Sequence, residues 1–514
     1  MVYIPGFLIN KVYERGSLEN RVDGFAFCFT NRMTPLQISG MRELSLDVDG
    51  VSYPADKLRL VLGGHPIDLS GDRLAEAITF AKGSKLLIRV AGENLSMGKH
   101  VIKINFITNE YGGATLKVND TIGEVEPPTL WSRLRSRIAG KDGKDKEGHK
   151  APVLIKGELG GVPLDPDFSR LEAALRLEEP DRVPLFEAEI EIPIQEWFLG
   201  REINSAEDVV EFYIRAGYDF VPVLPPFFAP RLMRTASTED AATTGDGHDR
   251  GWLTESEGII KTLGDVEAFP WPKAEEVDFS SFFEVAELLP PKMKIIGMLA
   301  PAAIFGNCSQ AMGLENFSYA LYDDIRLIEA LFEILGSAYV EITKRLIQVP
   351  RLGAVFMSDD LSDTGGCMVS PEIYRKYVFP WYKKIGEILD GAGLPFIFHS
   401  DGNLWAVLDD LADCGIKAIH PIEPLAMDIV EVKKRYGDRF CIFGNIDLEY
   451  TLTRGTVEDV EDQVKKRIKE LGPGGGYGLA ASNSIPDYVK PGNYKAMVEA
   501  VKRYGQYPIS IDNK

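Results

Sequence analysis

The chain has two regions that differ in the pattern of apolar and polar positions, and they meet near residue 169. In residues 20–120, apolar and polar side chains alternate within short segments, and turn-forming pairs such as Asp49-Gly50 separate these segments. Alternation with a period of two is typical of strands that bury one face, and short strands joined by turns favour an antiparallel sandwich. We therefore predict a small all-β sandwich domain over residues 1–125.

From residue 169 onward, apolar segments of strand length alternate with helical stretches, among them 324–349, 371–392 and 457–471. The predicted strands are 183–186, 220–223, 295–298, 354–357, 396–398, 418–419, 441–443 and 477–480. Strands joined by helical crossovers in this way predict a parallel sheet and, with this number of strands, a (β/α)₈ TIM barrel over residues 169–514. An open doubly wound sheet is the alternative, but no GxGxxG motif follows the first strand.

The two predicted domains are separated by a polar segment. Residues 141–150 (KDGKDKEGHK) are charged and contain glycine but no large apolar side chain. Such a composition cannot bury enough apolar surface to fold, and it predicts a solvated linker, which we place at residues 126–168. An exposed loop within a single domain is the alternative interpretation.

Polar side chains follow six of the predicted barrel strands, and in a barrel the carboxyl ends of the strands meet at one mouth, where active residues lie. The candidates are Glu187, Asp359, Asp360, His399, Asp401, His420, Glu423, Asn445, Asp447, Ser482 and Asn483. Asp359 and Asp360 can equally be read as helix caps. His420 is more simply a core histidine, and Asp447 is more simply the residue that begins a helix.

The segment 396–403 (FIFHSDGN) contains the main candidates. If the strand continues to Asp401, His399 and Asp401 lie on the same side, because side chains alternate along a strand. An imidazole and a carboxylate that meet in a cleft can bind Zn²⁺ or Mn²⁺. Without a metal, the carboxylate can set the tautomer of the imidazole for general acid–base catalysis.

Composition limits the partners and the compartment. The net charge of −20 argues against nucleic acid and anionic membranes as partners, because both repel an acidic protein. No apolar run is long enough to span a membrane, the first residues lack a secretion-signal layout, and the five cysteines contain no CxxC pair. We predict a cytoplasmic protein with a small-molecule substrate, and a homodimer is left open.

Residues 169–510 resemble the uroporphyrinogen decarboxylase superfamily. The resemblance is carried by 170–175 (RLEAAL), 179–184 (EPDRVP), 399–403 (HSDGN), 444–447 (GNID) and 474–486 (GGGYGLAASNSIP). It implies a (β/α)₈ barrel and one of two chemistries. One is the decarboxylation of uroporphyrinogen, and the other is methyl transfer with a corrinoid protein.

The sequence departs from the decarboxylase branch at three places. That branch has an arginine-rich loop after the first strand, where this chain reads FEAEIE at 186–191. Its aspartate after the second strand is replaced within 225–229 (PPFFA), and Ser482 and Asn483 stand in place of its C-terminal histidine. A substrate with many carboxylates would meet carboxylates here, at a cost on the order of several kcal/mol.

The methyltransferase branch binds zinc through a His-x-Cys motif after the fifth strand and a cysteine after the eighth. His399 matches the histidine, Asp401 stands at the first cysteine, and Ser482 or Asn483 stands near the second. The resemblance therefore implies a divalent metal, Zn²⁺ or Mn²⁺, with harder ligands. The predicted metal ligands are His399, Asp401 and Glu423; loss of the metal is the alternative.

The resulting hypothesis is a methyltransferase that moves a methyl group between a small, O-methylated substrate and a corrinoid protein. The predicted catalytic residues are His399, Asp401, Asp359 and Glu187, and Glu187 is also a candidate for completing a metal site. The predicted substrate-binding residues are Asp360, Asn445, Asn483 and Tyr477. A lyase or decarboxylase and a catalytically silent binding module are the alternatives.

Within residues 20–120, the segments 34–50 and 98–104 resemble the β subunit of C-glycoside deglycosidases. In that family a β domain accompanies a separate metal-dependent barrel subunit. The resemblance implies an accessory domain that covers or shapes the barrel mouth, and it implies nothing about glycosidase activity.

Overall fold

The computed structural model describes residues 152–225, 258–300 and 302–511 without a gap, and elsewhere it describes short segments, most of them strands. The chain divides into two compact units. The first comprises Met1–Val125 with Thr235–Trp252, and the second comprises Glu126–Arg234 with Leu253–Lys514. Residues 126–151 of the predicted linker lie outside the described part of the chain, so the domain and linker boundaries stay a prediction.

The first unit is built from strands. One five-stranded sheet has the order Val2–Tyr3, Gly112–Ile122, Gly98–Thr108, Met41–Val48 and Val51–Pro54. The other has the order Glu19–Arg21, Gly24–Thr30, Lys85–Ala91, Leu58–Leu62 and His65–Ile67. Short pairs join Leu36–Ile38 to Ile78–Phe80 and Thr235–Ala236 to Trp252–Leu253, and one 3₁₀ turn spans Ala55–Lys57. Buried side chains of both large sheets, such as Phe27 and Ile102, form one cluster, which confirms that small β sheets form in this region, while the sandwich domain stays a prediction.

The second unit contains a seven-stranded parallel sheet whose strand order is the chain order. The strands are Phe220–Val223, Lys294–Leu299, Leu352–Ser358, Phe396–His399, Ala418–His420, Cys441–Phe443 and Tyr477–Gly478. Almost every strand residue is buried, as expected for parallel strands covered by helices. Two small hairpins pair Glu158–Leu159 with Val162–Pro163 and Ser362–Asp363 with Gly366–Cys367.

Helices connect and surround these strands. They span Ser169–Leu175, Ile192–Leu199, Ala206–Arg215, Leu263–Ala268, Ser280–Leu288, Ile304–Met312, Leu314–Asp323, Ile325–Leu346, Pro371–Ile373, Phe379–Gly391, Leu408–Asp413, Ile429–Tyr436, Val457–Leu471 and Pro491–Tyr504. Two π-helical turns span Tyr374–Val378 and Leu448–Leu452, and a 3₁₀ turn spans Ala274–Glu276. Within the described residues, no helix has both the length and the apolar character that crossing a membrane requires.

The first predicted barrel strand, 183–186, lies between the two outer strands of this sheet. Leu185 forms a parallel bridge with Leu479, and the Phe186 amide donates to the Leu479 carbonyl at 2.9 Å. On the other side, the Phe186 ring lies 5.5 Å from the ring of Phe220. The mixed α/β class and a curled parallel sheet are confirmed, and the closed barrel stays a prediction.

Aromatic rings fill the concave side of the curled sheet. Phe186 stacks on Phe443 with ring centroids 4.2 Å apart, and it lies 5.9 Å from Phe356. Such packed layers are typical of the inward-pointing side chains of a barrel. The ring of His420 lies 5.3 Å from Phe186 and 6.0 Å from Phe356, which places the strand-end histidines directly against this aromatic layer.

An ion-pair network surrounds the buried side chain of Arg170 in the same unit. Its guanidinium donates to Asp181 at 2.6 Å, to Asp219 at 2.9 Å and to Asp165 at 2.6 Å. Asp219 is buried, and this burial raises its pKa, while burial lowers the pKa of the nearby Lys502 to about 8. The RLEAAL and EPDRVP segments of the sequence therefore serve the stability of the fold through Arg170 and Asp181.

We expect Arg170→Met to destabilise the second unit by about 3–5 kcal/mol, because it removes the guanidinium that pairs at 2.9 Å with the buried carboxylate of Asp219. The measurement is the urea midpoint followed by near-ultraviolet circular dichroism. Arg176→Met is the matched control, since Arg176 pairs with Glu178 on the surface, and it should change stability by less than about 1 kcal/mol. Equal midpoints for the two variants would contradict the importance of the network.

Candidate metal centre

Three side chains with metal-binding atoms meet at the ends of two neighbouring strands. Leu352–Ser358 pairs in parallel with Phe396–His399, with Ser358 opposite His399, and Asp360 and Asp401 follow two residues later on each chain segment. His399 Nε2 lies 3.7 Å from an oxygen of Asp360 and 3.7 Å from an oxygen of Asp401. One ligand atom from each of the three residues lies within 4.8 Å of the others. The pair predicted from sequence is thus brought together, with Asp360 as a third member.

Backbone hydrogen bonds hold the two strand ends in this arrangement. The Asp401 amide donates to Asp360 Oδ1 at 3.0 Å, and the Leu361 amide donates to Ser400 Oγ at 3.0 Å. The Ser400 hydroxyl also donates to the Asp401 carbonyl at 2.9 Å. Ser400 therefore fixes the backbone between His399 and Asp401, so that the two side chains need little rearrangement to act together.

Gly402 allows the turn after Asp401 to pack against the neighbouring hairpin. Its φ is +81°, and a Cβ atom at this position would lie 2.5 Å from the Asp363 carbonyl oxygen. Asn403 donates its amide to the same carbonyl at 2.8 Å, and Gly402 donates its own amide to Glu423 Oε2 at 3.0 Å. Glu423 therefore holds the turn by one carboxylate oxygen and lies outside the three-residue cluster.

The Asp401 carboxylate is held on one side and free on the other. Asn483 Nδ2 donates to Asp401 Oδ2 at 2.7 Å, and Asn483 Oδ1 accepts the Ser484 amide, which fixes the orientation of the Asn483 side chain. Asp401 Oδ1 is buried and accepts no hydrogen bond from the described residues. Burial raises the pKa of Asp401 to about 6, and the charges of Asp360 and Glu423 act in the same direction.

His399 contacts a second histidine with its other ring nitrogen. The Nδ1 atoms of His399 and His420 are 2.8 Å apart, and the two residues are paired at the ends of neighbouring strands. His420 is fully buried, and burial lowers its pKa well below 6.5, so its ring is neutral. His420 Nε2 has no hydrogen-bond partner among the described residues. The simple interpretation of His420 as a core histidine is therefore incomplete, because it also contacts the cluster.

The donor set of the cluster fits a divalent cation. One imidazole nitrogen and carboxylate oxygens suit Zn²⁺, Mn²⁺ or Fe²⁺ better than a thiolate-rich zinc centre. The buried, unpartnered Asp401 Oδ1 is an atom that a bound cation would satisfy. The arrangement can also orient a neutral imidazole against carboxylates for proton transfer when no cation is bound.

Asp359 lies beside the cluster but is engaged elsewhere. Its side chain is fully buried and accepts the amides of Ile304, Phe305 and Gly306 at 2.6–2.8 Å. The hydroxyl of Tyr382 donates to the same carboxylate. Burial raises the pKa of Asp359 to about 6. A carboxylate at the first amides of a helix complements the helix dipole, so Asp359 anchors the helix Ile304–Met312, and its catalytic role stays a prediction.

Glu187 lies in the layer between the sheet and the helices. Because Phe186 points into the aromatic interior, the next residue along the strand points the other way. Glu187 is fully buried and interacts electrostatically with Tyr213, Tyr218 and Tyr494. Its Oε1 accepts the Ala481 amide at 2.7 Å, its Oε2 has no partner among the described residues, and burial raises its pKa well above 4.5. The structure does not bring Glu187 into the His399 cluster.

The remaining predicted residues have mainly structural contacts. Asn445 is buried and donates to the Ile422 carbonyl at 2.7 Å, and its Oδ1 has no partner among the described residues. Tyr477 is buried and donates its hydroxyl to the Gly444 carbonyl at 2.7 Å. Asp447 accepts the amides of residues 449, 450 and 451, so it begins the turn Leu448–Leu452, in agreement with the alternative that it is a residue at the start of a helix.

Sequence reasoning missed two contacts of the site. It assigned Asp360 to substrate binding and not to the cluster, and it did not connect His420 with His399. A signal for the second contact was present, because both histidines end apolar segments that follow one another along the chain. Tyr382, whose hydroxyl donates to Asp359, lies in the helix Phe379–Gly391, and no sequence pattern indicated this contact.

Comparisons with known proteins show which family the second unit resembles. Residues 256–504 match the family model described as uroporphyrinogen decarboxylase. The uroporphyrinogen decarboxylase of Chlorobaculum tepidum is 26% identical over 221 residues, which cover 41% of this chain and 60% of that protein. The methylcobamide:CoM methyltransferase MtaA of Methanosarcina barkeri is 24% identical over 221 residues, which cover 43% and 61%. The resemblance to this superfamily is confirmed, and both of its chemistries occur among the relatives.

The remaining matches say less about the function of this chain. This chain spans about 60% of the length of the two relatives just described. A methyltransferase structure from Methanosarcina mazei shares 19% identity, covers 65% of this chain and 98% of its own, and has a TM-score of 0.48. Residues 8–123 match the model of the hydroxymethylglutaryl-CoA reductase N-terminal domain. The resemblance of this region to a C-glycoside deglycosidase subunit stays a prediction.

We expect Glu187→Gln to stabilise the protein increasingly as the pH rises above about 4.5. The unfolded chain ionises Glu187 near that pH, while the buried carboxyl of the native state keeps its proton, so the native state binds more protons and loses stability with rising pH. One such group contributes a slope of about 1.4 kcal/mol per pH unit until its folded pKa is reached. The measurement is the urea midpoint between pH 5 and pH 8.

The control for this series is Glu202→Gln, which changes an exposed carboxylate. Its stability curve should run parallel to that of the unmodified protein. Parallel curves for Glu187→Gln as well would show that Glu187 is ionised in the native state.

Proposed function

We propose that this protein is a metal-dependent methyltransferase that moves a methyl group between a small, O-methylated substrate and the corrinoid of a partner protein in the cytoplasm. The observation that carries the proposal is the convergence of Asp360, His399 and Asp401 at the carboxyl ends of parallel strands. Catalytic residues of parallel α/β enzymes lie at this end of the sheet. The similarity to a methylcobamide:CoM methyltransferase supports the corrinoid partner.

The proposal includes a closed (β/α)₈ barrel in which 183–186, the first strand in chain order, closes the seven-stranded sheet. Two contacts support closure. Leu185 bridges to Leu479 on one side, and the Phe186 ring contacts the Phe220 ring on the other. In a closed barrel the strand ends surround a single mouth, and a substrate bound there would contact several strands at once.

His399 Nε2, Asp401 Oδ1 and an oxygen of Asp360 are the atoms that would hold the metal. A divalent cation held by such ligands supplies Lewis acidity toward a substrate oxygen. The side chain of Asp360 is more exposed than that of Asp401, and Asn483 holds Asp401 by a hydrogen bond to Oδ2. Glu423 serves this set indirectly, because it holds the Gly402 amide in the turn that carries Asp401.

The charge of the site favours methyl transfer over decarboxylation of uroporphyrinogen. Asp360, Asp401 and Glu423 cluster here, and within the described residues the ion pairs of these carboxylates involve only His399. A substrate with many carboxylates needs cations to hold it, and like charges brought together in a partly desolvated cleft are unfavourable. A methyl ether carries no charge and meets no such repulsion.

The ligand atoms also favour an oxygen-bound methyl group over a thiol. Thiolate ligands make zinc electron-rich enough to activate a thiol, whereas carboxylate oxygens are harder donors. Asp401 stands where the methyltransferase branch has a thiolate, so we assign the methyl group to an aryl or alkyl ether. The aromatic layer of Phe186, Phe356 and Phe443 beneath the histidines excludes water from the inner side of the site.

We expect the purified protein to transfer a methyl group to a corrinoid protein in the Co(I) state from at least one methyl ether in a panel of donors. The reaction consumes one proton and yields an alcohol or phenol, and the appearance of methyl–cobalt is followed by its visible spectrum. His399→Ala should slow the transfer by at least about 10²-fold, since Lewis-acid assistance contributes several kcal/mol. Asp390→Ala, which alters an exposed carboxylate, is the control and should leave the rate unchanged.

Two results would overturn this function. Conversion of uroporphyrinogen to coproporphyrinogen without methyl–cobalt formation from any donor would establish the decarboxylase alternative. Absence of both reactions, with a folded protein and an active corrinoid partner, would favour the catalytically silent binding module.

A further inference from the structure

The contact between His399 and His420 has a chemical requirement of its own. The two Nδ1 atoms are 2.8 Å apart, which is a hydrogen-bond distance. Two unprotonated nitrogens would repel each other, and two protonated ones would clash, so one proton lies between them. Either His399 donates to His420, or His420 donates to His399.

These two arrangements have opposite consequences for the far side of His399. If His399 carries the proton on Nδ1, its Nε2 presents a lone pair to Asp360 and Asp401, which lie 3.7 Å away. If His420 carries the proton, His399 is protonated on Nε2 and presents an N–H to the same carboxylates. Only the first arrangement leaves Nε2 able to bind a cation, because a metal ligand must be the unprotonated nitrogen.

We propose that His420 is a positioning residue that accepts the Nδ1–H of His399 and so holds His399 in the tautomer that binds the metal through Nε2. The inference rests on the proposed function, since it concerns the same metal centre. Metal-bound histidines commonly donate their second ring N–H to a carboxylate or a backbone carbonyl. Here the ring nitrogen of another histidine takes that place.

His420 is held rigidly enough to perform this role. Its ring packs against Phe186 at 5.3 Å and Phe356 at 6.0 Å, and its side chain is fully buried. Its backbone carbonyl accepts the Ser400 amide at 3.2 Å, which ties the strand end of His420 to the turn that carries Asp401. A ring enclosed in this way keeps its Nδ1 directed at His399 and cannot turn to follow a different partner.

The test measures metal affinity, not activity, by competition with a chelating dye for Zn²⁺ and Mn²⁺. His420→Leu keeps the apolar contacts but removes the acceptor, and we expect it to weaken binding by about 10–100-fold. His420→Asn places a side-chain carbonyl near the position of Nδ1, and we expect it to bind within about threefold of the unmodified protein, as expected when an acceptor is retained. Near-ultraviolet circular dichroism checks that each variant keeps its fold.

The outcomes separate this inference from the proposed function. If His399→Ala loses metal binding while His420→Leu binds as tightly as the unmodified protein, the metal centre stands and the role of His420 is wrong. If His399→Ala binds metal as tightly as the unmodified protein, the metal centre itself is wrong, and the role of His420 is wrong with it.

A second measurement needs no variant and covers the case in which His420→Leu does not fold. Nitrogen-15 labelling of the histidines reports which ring nitrogen carries each proton. In the metal-bound protein we expect His399 to be protonated on Nδ1 and His420 on Nε2. We expect the same two protonated nitrogens before metal is added, because His420 holds this tautomer in advance. A proton on His420 Nδ1 in either state would overturn the inference.

Discussion

The register between the parallel strands Leu352–Ser358 and Phe396–His399 is the constraint on which the site depends. Because Ser358 lies opposite His399, the segments that leave both strands carry Asp360 and Asp401 to the same place. The next strand continues the row, since His420 is paired with His399. A register shift of one residue would turn the His399 side chain to the other face of the sheet and separate the three ligands. The short turns after the two strands then hold Asp360 and Asp401 in this arrangement.

The polar groups around Arg170 and those around His399 differ in whether their atoms have hydrogen-bond partners. Around Arg170 the charges are paired, and Asp165, Asp181 and Asp219 all accept from one guanidinium. Around His399, the atoms Asp401 Oδ1 and His420 Nε2 have no hydrogen-bond partner among the residues that the structure describes. An unsatisfied buried polar atom costs on the order of 1–3 kcal/mol, and a bound cation would satisfy Asp401 Oδ1. The Arg170 network stabilises the fold, and the His399 cluster is the place where we propose that a metal binds.

The sequence predicted the elements better than their contacts. The strands 354–357 and 396–398 correspond to Leu352–Ser358 and Phe396–His399, because wholly apolar segments between helices are a strong signal. The segment 183–186 forms a bridge and not a ladder, and Pro184 within it has no N–H to donate. The predicted helix 371–392 is divided by a π-helical turn at Tyr374–Val378, next to Pro380, which cannot donate to the preceding turn.

The location of the site could be predicted from the sequence, but most of the contacts that its residues make could not. His399 and Asp401 could be paired from their spacing, because alternation along one strand is a local property. The face on which Glu187 lies depends on Phe186 entering the aromatic interior, and the partners of Asp359 belong to a helix more than 50 residues away in sequence. Such contacts arise only when distant segments pack, so no local pattern indicated them.

The central claim is that Asp360, His399 and Asp401 bind one divalent metal ion. The most direct measurement is elemental analysis of protein purified without chelator, followed by anomalous X-ray diffraction from its crystals. The account predicts about one equivalent of a divalent transition metal per chain, with the anomalous peak among His399 Nε2 and the carboxylates of Asp360 and Asp401. Less than about a tenth of an equivalent after reconstitution with Zn²⁺ and Mn²⁺, or a peak at another place, would contradict it.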